Sequence, residues 1–279
     1  MTIDILICTI DEGIGSVGDV LMPPMPGVHY VVSVQYTAPL PPAIADGGRE
    51  SGAAAPAIPE SIARRADVTV TTLAGRGLSR NRNNALRHAT ADIIVIADDD
   101  CRYTPASVDA IRSAYAAHPE ADAICFRAAG YDGTPLKHYP EADATYADAC
   151  RSGYYAASVE MTFRRSRLVE RGIWFNELYG LGAKYPASEE EVLLCDAAAA
   201  GLTLRYAATE IVRTDPVTTG ADFLASVPLQ VTKGAAFRYR YGVAGALWRT
   251  LKEGGYHLVR HGVNPLPIWS NMLRGILGR

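Results

Sequence analysis

The 279-residue sequence predicts an α/β fold, a central mostly parallel sheet flanked by helices. Five short runs rich in Val and Ile carry most of this prediction: "IDILICTI" (3–10), "YVVSVQY" (30–36), "VTVTTL" (68–73), "DIIVIA" (92–97) and "AICFRA" (123–128). Their apolarity is nearly continuous rather than alternating, as in strands covered on both faces. Helix-patterned segments fall between them, and a chain of this length with 48% hydrophobic residues can bury a sizeable core, which argues against a disordered polypeptide.

Taken in order, "GLSRNRNNALRHA" (77–89) reads as a helix with Ser79 as N-cap and with Leu78, Ala85, Leu86 and Ala89 at helical spacing. "TPASVDAIRSAYAAHP" (104–119) begins with Thr104 as cap and Pro105 at the first helical position. Residues 38–60, crowded with Pro, Gly and Ala, read as a long flexible surface loop. "SVEMTF" (158–163) resumes strand character, "EEEVLLCDAAAAG" (189–201) is a helix closed by Gly201, and "LTLRYA" and "EIVR" read as two further short strands. The expected organisation is one catalytic-size domain over 1–232 followed by a basic, aromatic helical extension over 233–279.

The formal net charge of −3 is unevenly distributed. Residues 234–279 hold seven Lys or Arg against one Glu, so the remainder carries a net −9. The first residues, "MTIDILICTIDEGIG", have no basic leader, and no apolar stretch approaches the ~20 residues of a spanning helix. A cytoplasmic protein is expected, and no nucleic-acid partner. An amphipathic surface helix touching anionic lipid would explain the mixture of Arg, Lys, Trp and Tyr near the C-terminus, which would then sit peripherally at the inner face of the plasma membrane; a basic helix packed on the domain would explain it equally. His257 and His261, four apart with no acidic neighbour evident, read as surface residues rather than ligands. The five cysteines are scattered and show no CxxC spacing, which indicates neither a disulfide framework nor a zinc site.

Three segments carry chemistry. "IVIADDDCRY" (94–103) runs a buried strand into Asp98, Asp99 and Asp100. Residues two apart on a strand share a face, so Asp98 and Asp100 are expected to point together into the crevice at the strand's carboxyl end, with Asp99 turned away. Magnesium or manganese suits such a place, being a hard cation held by one or two carboxylates and completed by water and phosphate oxygens. A polar turn is the plain alternative. In "GLSRNRN", Arg80 and Arg82 lie in a first helical turn that already favours anions, and a guanidinium there would grip a diphosphate bidentately. In "YGLGAKYPASEEEVLL" (179–194), a glycine-rich loop leads into a helix; Ser188 and Glu191 stand at capping-box spacing, which accounts for Glu191 and leaves Glu189 and Glu190 as acids of the first turn or as a general base.

With "CTIDEG" after the first strand, "GLSRNRNNAL", "IADDDCRYTP" and "GLGAKYPASEEEVLL" in this order, the chain resembles the inverting family 2 glycosyltransferases of the GT-A fold over roughly residues 3–220, most of all bacterial capsular and exopolysaccharide transferases. The resemblance implies a GT-A, Rossmann-like sheet and a metal-dependent transfer from a UDP- or dTDP-sugar to a saccharide or lipid-linked saccharide. It implies that Thr9 and Glu12 line the nucleotide pocket, with Gln35, Arg80 and Asp99 also on the donor. Arg82 would approach ribose and diphosphate, Asp98 and Asp100 would hold nucleotide and the magnesium or manganese ion, and Glu190, with Glu189 as the other candidate, would be the base. Two positions depart from the family pattern: "VVSVQY" offers Ser33 and Gln35 where relatives usually have an Asp, and "IVRTDPVTTG" offers Arg213 and Thr214 where many place a His. A sugar nucleotidyltransferase and a catalytically inactive saccharide-binding subunit are the competing readings. Against the first, "CTIDEGIGSVGD" lacks a basic pair; against the second, Asp98, Asp100 and Glu190 are intact.

Overall fold

A computed structural model describes residues 1–36, 57–216 and 222–278. Its strands are β1 (Ile3–Ile10), β2 (Val28–Tyr36), β3 (Val68–Ala74), β4 (Ile93–Asp98), β5 (Ala123–Gly130), β6 (Ala144–Thr145), β7 (Met161–Arg164) and β8 (Leu204–Thr214). Its helices are α1 (Ile14–Val17), α2 (Glu60–Ala63), α3 (Leu78–His88), α4 (Pro105–Ala117), α5 (Tyr146–Arg151), α6 (Arg165–Glu170), α7 (Glu189–Ala199), α8 (Val227–His261) and α9 (Pro265–Ile276). The described chain divides into two compact units, one formed by Met1–Arg76, Arg80–Trp174 and Ala197–Pro216, the other by Gly77–Ser79, Phe175–Asp196 and Val217–Arg279. Most of the expected loop at 38–60 lies outside the described residues; its end, Glu60, opens α2.

The first unit holds the sheet, ordered β3-β2-β1-β4-β7-β5-β8-β6. Pairing is parallel from β3 through β2 and β1 to β4, and again between β5 and β8. The short β7 runs antiparallel between β4 and β5, and β6 antiparallel along β8. The apolar runs explain the centre: Ile3, Ile5 and Ile7 of β1, Val32 and Val34 of β2 and Ile93 and Val95 of β4 are at most 1% exposed and form one core. Each such side chain contributes roughly 1.5–3 kcal/mol on burial. α4 begins as predicted, with Thr104 accepting from Ser107 N at 3.2 Å and Pro105 opening the helix.

Three local expectations change. Ser158–Glu160 is a 3-10 turn, and strand structure starts only at Met161. "LTLRYA" and "EIVR" are one eleven-residue strand, β8, whose pairing to β5 shifts register around Arg127. Ser79 lies inside α3 rather than at its cap; its hydroxyl donates to the Tyr179 carbonyl at 2.6 Å.

The 3-10 turn exists because Glu160 is anchored. This fully buried carboxylate accepts from Tyr139 OH (2.6 Å) and Lys137 Nζ (2.9 Å) through Oε1, and from Tyr154 OH (2.8 Å) and Ala157 N (3.0 Å) through Oε2. Burial, reinforced by the Glu160 charge, pushes both tyrosine hydroxyls well above their ordinary range, so they remain donors. A buried charge with every oxygen partnered is tolerated, whereas removing one member strands the rest. Glu160→Ala is therefore expected to cost about 3–5 kcal/mol in urea unfolding, with Glu160→Gln losing less. Equal unfolding midpoints for wild type and Glu160→Ala would contradict this account.

Candidate active site

At the carboxyl ends of β1 and β4, the three aspartates take three different partners. Asp98 closes β4, and Asp99 and Asp100 lie in the turn beyond it, so strand alternation stops before it reaches Asp100. Asp98 Oδ1 accepts from Arg82 Nη2 at 2.9 Å, and among the described residues Oδ2 has only a long contact from Ser158 Oγ, 3.4 Å. Asp99 Oδ2 accepts from Thr9 Oγ1 at 2.5 Å. Asp100 Oδ2 accepts from Thr214 Oγ1 (2.8 Å) and Asp215 N (3.1 Å), while among the described residues Oδ1 meets only the Cys101 thiol, at 3.9 Å. Asp99 thus faces Thr9 rather than away from the cluster, a correction to the alternation argument.

The electrostatics follow from this packing. Burial raises the Asp99 carboxyl above the ordinary aspartate range, the Thr9 hydrogen bond opposes that, and the charges of Asp98 and Asp100 add to it. Arg82 supplies a compensating positive charge: its side chain is 2% exposed although its helix is strongly polar. Burial likewise pushes the Cys8 thiol up to about 12, and Cys101 and Cys125 well upward, so none of these three is a thiolate at neutral pH.

Helix α3 is polar and nonetheless buried because its asparagines replace the hydrogen bonds that water would make. Asn81 Nδ2 donates to Thr9 O (2.9 Å) and Ser33 O (3.2 Å), and Asn81 Oδ1 accepts from Ser33 Oγ (2.6 Å). Asn84 Nδ2 donates to Ser33 Oγ (2.9 Å) and Thr71 Oγ1 (3.2 Å). These bonds tie the helix bearing Arg82 to β1, β2 and β3. Gln35, at the end of β2, is 2% exposed, and among the described residues its amide nitrogen has no hydrogen-bond partner.

The remaining predicted residues are placed as follows. Glu12 is exposed in the 3-10 turn Asp11–Gly13, and Arg80 is half-buried beside the backbone of Gly75. Arg213 pairs its Nε with Glu210 at 3.0 Å; its neighbour Thr214 is the residue that reaches Asp100. Glu189 and Glu190 belong to the second unit, Glu189 buried and Glu190 half-buried at the start of α7. There the loop backbone comes close: Gly180 has φ +102°, and a Cβ on it would lie 3.1 Å from Ser79 Oγ and 3.3 Å from the Glu189 carboxyl carbon. The expected capping box gives way to other bonding, since Ser188 is left-handed (φ +71°) instead of extended and Glu191 pairs with Arg240 at 3.0 Å.

Sequence reasoning missed Asn81, Asn84, Ser158 and Gly13. A polar residue's burial leaves no periodic signal of its own, whereas the Gly13 requirement is purely steric: a Cβ there would overlap Thr9 Oγ1 and stand 2.9 Å from Asp99 Oδ2. Gly13→Ala should therefore destabilise by about 1–3 kcal/mol through overpacking, read as a lowered melting temperature. An unchanged melting temperature would mean that Thr9 and Asp99 are not held as described.

Residues 50–176 match the family model described as glycosyl transferase family 2. No curated protein matches the sequence. Among solved structures, the chain is similar to S. aureus TarS, with a TM-score of 0.57 at 13% identity over 92% of this chain, and it spans 44% of that TarS chain. Against TarS 1–349 in complex with UDP-GlcNAc the TM-score is 0.59 at 12% identity, covering 99% of this chain and 82% of the other. Against the UDP complex of TarS 1–349 it is 0.56 at 13% identity, covering 94% and 73%. Residues 50–176 thus match glycosyl transferase family 2, and the chain shares its fold with the TarS structures.

Proposed function

We propose that the chain transfers a sugar, with inversion, from a UDP- or dTDP-linked donor to a saccharide or lipid-linked saccharide in surface polysaccharide assembly. The observation that carries this reading is the paired charge cluster of Arg82, Asp98, Asp99 and Asp100 at the carboxyl ends of the sheet, where open α/β sheets bind ligands. The TarS complexes with UDP and UDP-GlcNAc favour a uridine donor over a thymidine one. Gln35 suits either pyrimidine, since among the described residues its amide N–H has no partner and both bases carry carbonyl acceptors beside an N–H.

The residues present fit a magnesium or manganese ion. Asp98 and Asp100 each have one carboxylate oxygen fixed by a short hydrogen bond and the other with only a long contact, so each can offer one oxygen. When bound, such an ion would offset the negative charge that builds on the departing diphosphate. The Arg82 guanidinium adds positive charge on the same group, and Thr214 and Asp215 N fix the Asp100 rotamer.

In the reaction, the acceptor hydroxyl oxygen forms the new bond to the anomeric carbon as the bond from that carbon to the diphosphate oxygen breaks. A carboxylate takes the hydroxyl proton. Glu190 is the better candidate, being half-buried where Glu189 is buried against Gly180.

Release of UDP from a UDP-sugar in the presence of manganese and acceptor tests this reading. Chelation and Asp100→Ala are expected to abolish turnover, and Glu190→Gln to lower kcat by about 10²–10⁴-fold. Turnover that survives both chelator and Asp100→Ala would remove the metal from the proposal; an unaffected Glu190→Gln variant would remove the base.

A further inference from the structure

Helix α8 exposes the side that a soluble helix normally buries. Gly242, with φ +66° and ψ −178°, breaks it, and the segment after the break packs through small or polar residues: Ala246, Thr250, Gly254 and His257 are the buried ones. Close approach explains the choice, because a Cβ on Gly254 would overlap the Trp269 indole of α9, and Cβ atoms on Gly234 and Gly275 would overlap the facing backbone at Met272 and Val231. His257 is not a surface residue as its spacing suggested; its Nε2 lies 3.2 Å from Glu253, which also accepts from Lys233 at 2.6 Å.

The large apolar side chains are left outside. At about 100° per residue, Val243, Leu247, Leu258, Leu251, Trp248 and Val259 fall within an arc of roughly 160°. All six are exposed, Leu251 by 52%, Trp248 by 60% and Val259 by 88%. Lys252 lies at the border of this arc with its ammonium 5.2 Å from the Trp248 ring centre, and the exposed Arg249 and Arg260 follow on the polar side. Glu253 is the one acid in 234–279 and is occupied by Lys233 and His257. Among the described residues no helix is long and apolar enough to cross a membrane.

We infer that this face of α8 is a docking surface for an anionic lipid bilayer, lying in the interface plane with its leucines and Trp248 in the headgroup and acyl boundary. Charge decides the occupant: an apolar arc bordered by Lys and Arg with no available acid is complementary to negative headgroups. A second copy of the chain would bring the same basic border against itself. The inference stands apart from the transfer chemistry, since docking needs neither donor nor acceptor.

The test is flotation of the whole 279-residue chain with phosphatidylglycerol-containing and pure phosphatidylcholine vesicles, alongside sedimentation in their absence. Wild type should float with the anionic vesicles and lose this in high salt. An Arg249→Gln, Lys252→Gln, Arg260→Gln triple variant should partition about a hundredfold less, and a Leu247→Glu, Leu251→Glu variant should not float. Asp100→Ala should float like wild type, separating this result from any failure of the catalytic reading. If the leucine variant does not fold, the triple variant decides alone. Wild type that stays unbound, variants that float equally, or a solution dimer dissolved by the leucine changes without vesicle binding would each overturn the inference.

Discussion

The buried Arg82 guanidinium against Asp98 is the constraint on which the rest of the site depends. Three consecutive carboxylates at the end of a buried strand repel one another, and burial makes each ionised group costlier still. The fold answers by giving every one a different donor: Arg82 for Asp98, Thr9 for Asp99, Thr214 and a backbone amide for Asp100. Only the first of these is a charge. Arg82 in turn is held in place because asparagine side chains tie its helix to β1, β2 and β3, replacing hydrogen bonds that water would make.

This arrangement suits a site that receives more charge when its ligand arrives. Among the described residues, Asp98 and Asp100 keep one oxygen each in only long contact, and Asp99 between them is raised by burial first and by its two charged neighbours second. A cation accompanying a diphosphate would offset the like charges of Asp98, Asp99 and Asp100. The Gly13 turn and the Glu160 cluster serve the same end by fixing backbone: the first leaves room beside Thr9 and Asp99, the second holds the turn that carries Ser158.

Much of the fold was legible because continuous apolar runs have few alternatives: β1, β2, β4 and β5 lie within a few residues of their expected limits. β8 was split in two by the polar step from Ala208 to Glu210, where its pairing to β5 is irregular, and the antiparallel β7 was blurred by the 3-10 turn before it. Residue types announced the site, whereas orientation had to come from the structure. Periodicity could not place Asp99 and Asp100, which lie past the end of the strand, nor foresee that Ser79 and Ser188 would adopt conformations other than helix caps. The C-terminal helices carry an ordinary amphipathic pattern, but which side faces the protein is set by glycine contacts with α9 that no local rule encodes.

Calorimetric titration of UDP into the protein, with and without manganese, probes the central claim most directly, because it isolates the charge cluster from acceptor and catalysis. The account predicts that the ion strengthens UDP binding by at least about tenfold, equivalent to roughly 1.4 kcal/mol, and that Asp100→Ala loses that gain while keeping the metal-free affinity. Identical affinities with and without the ion, in wild type and variant alike, would contradict it.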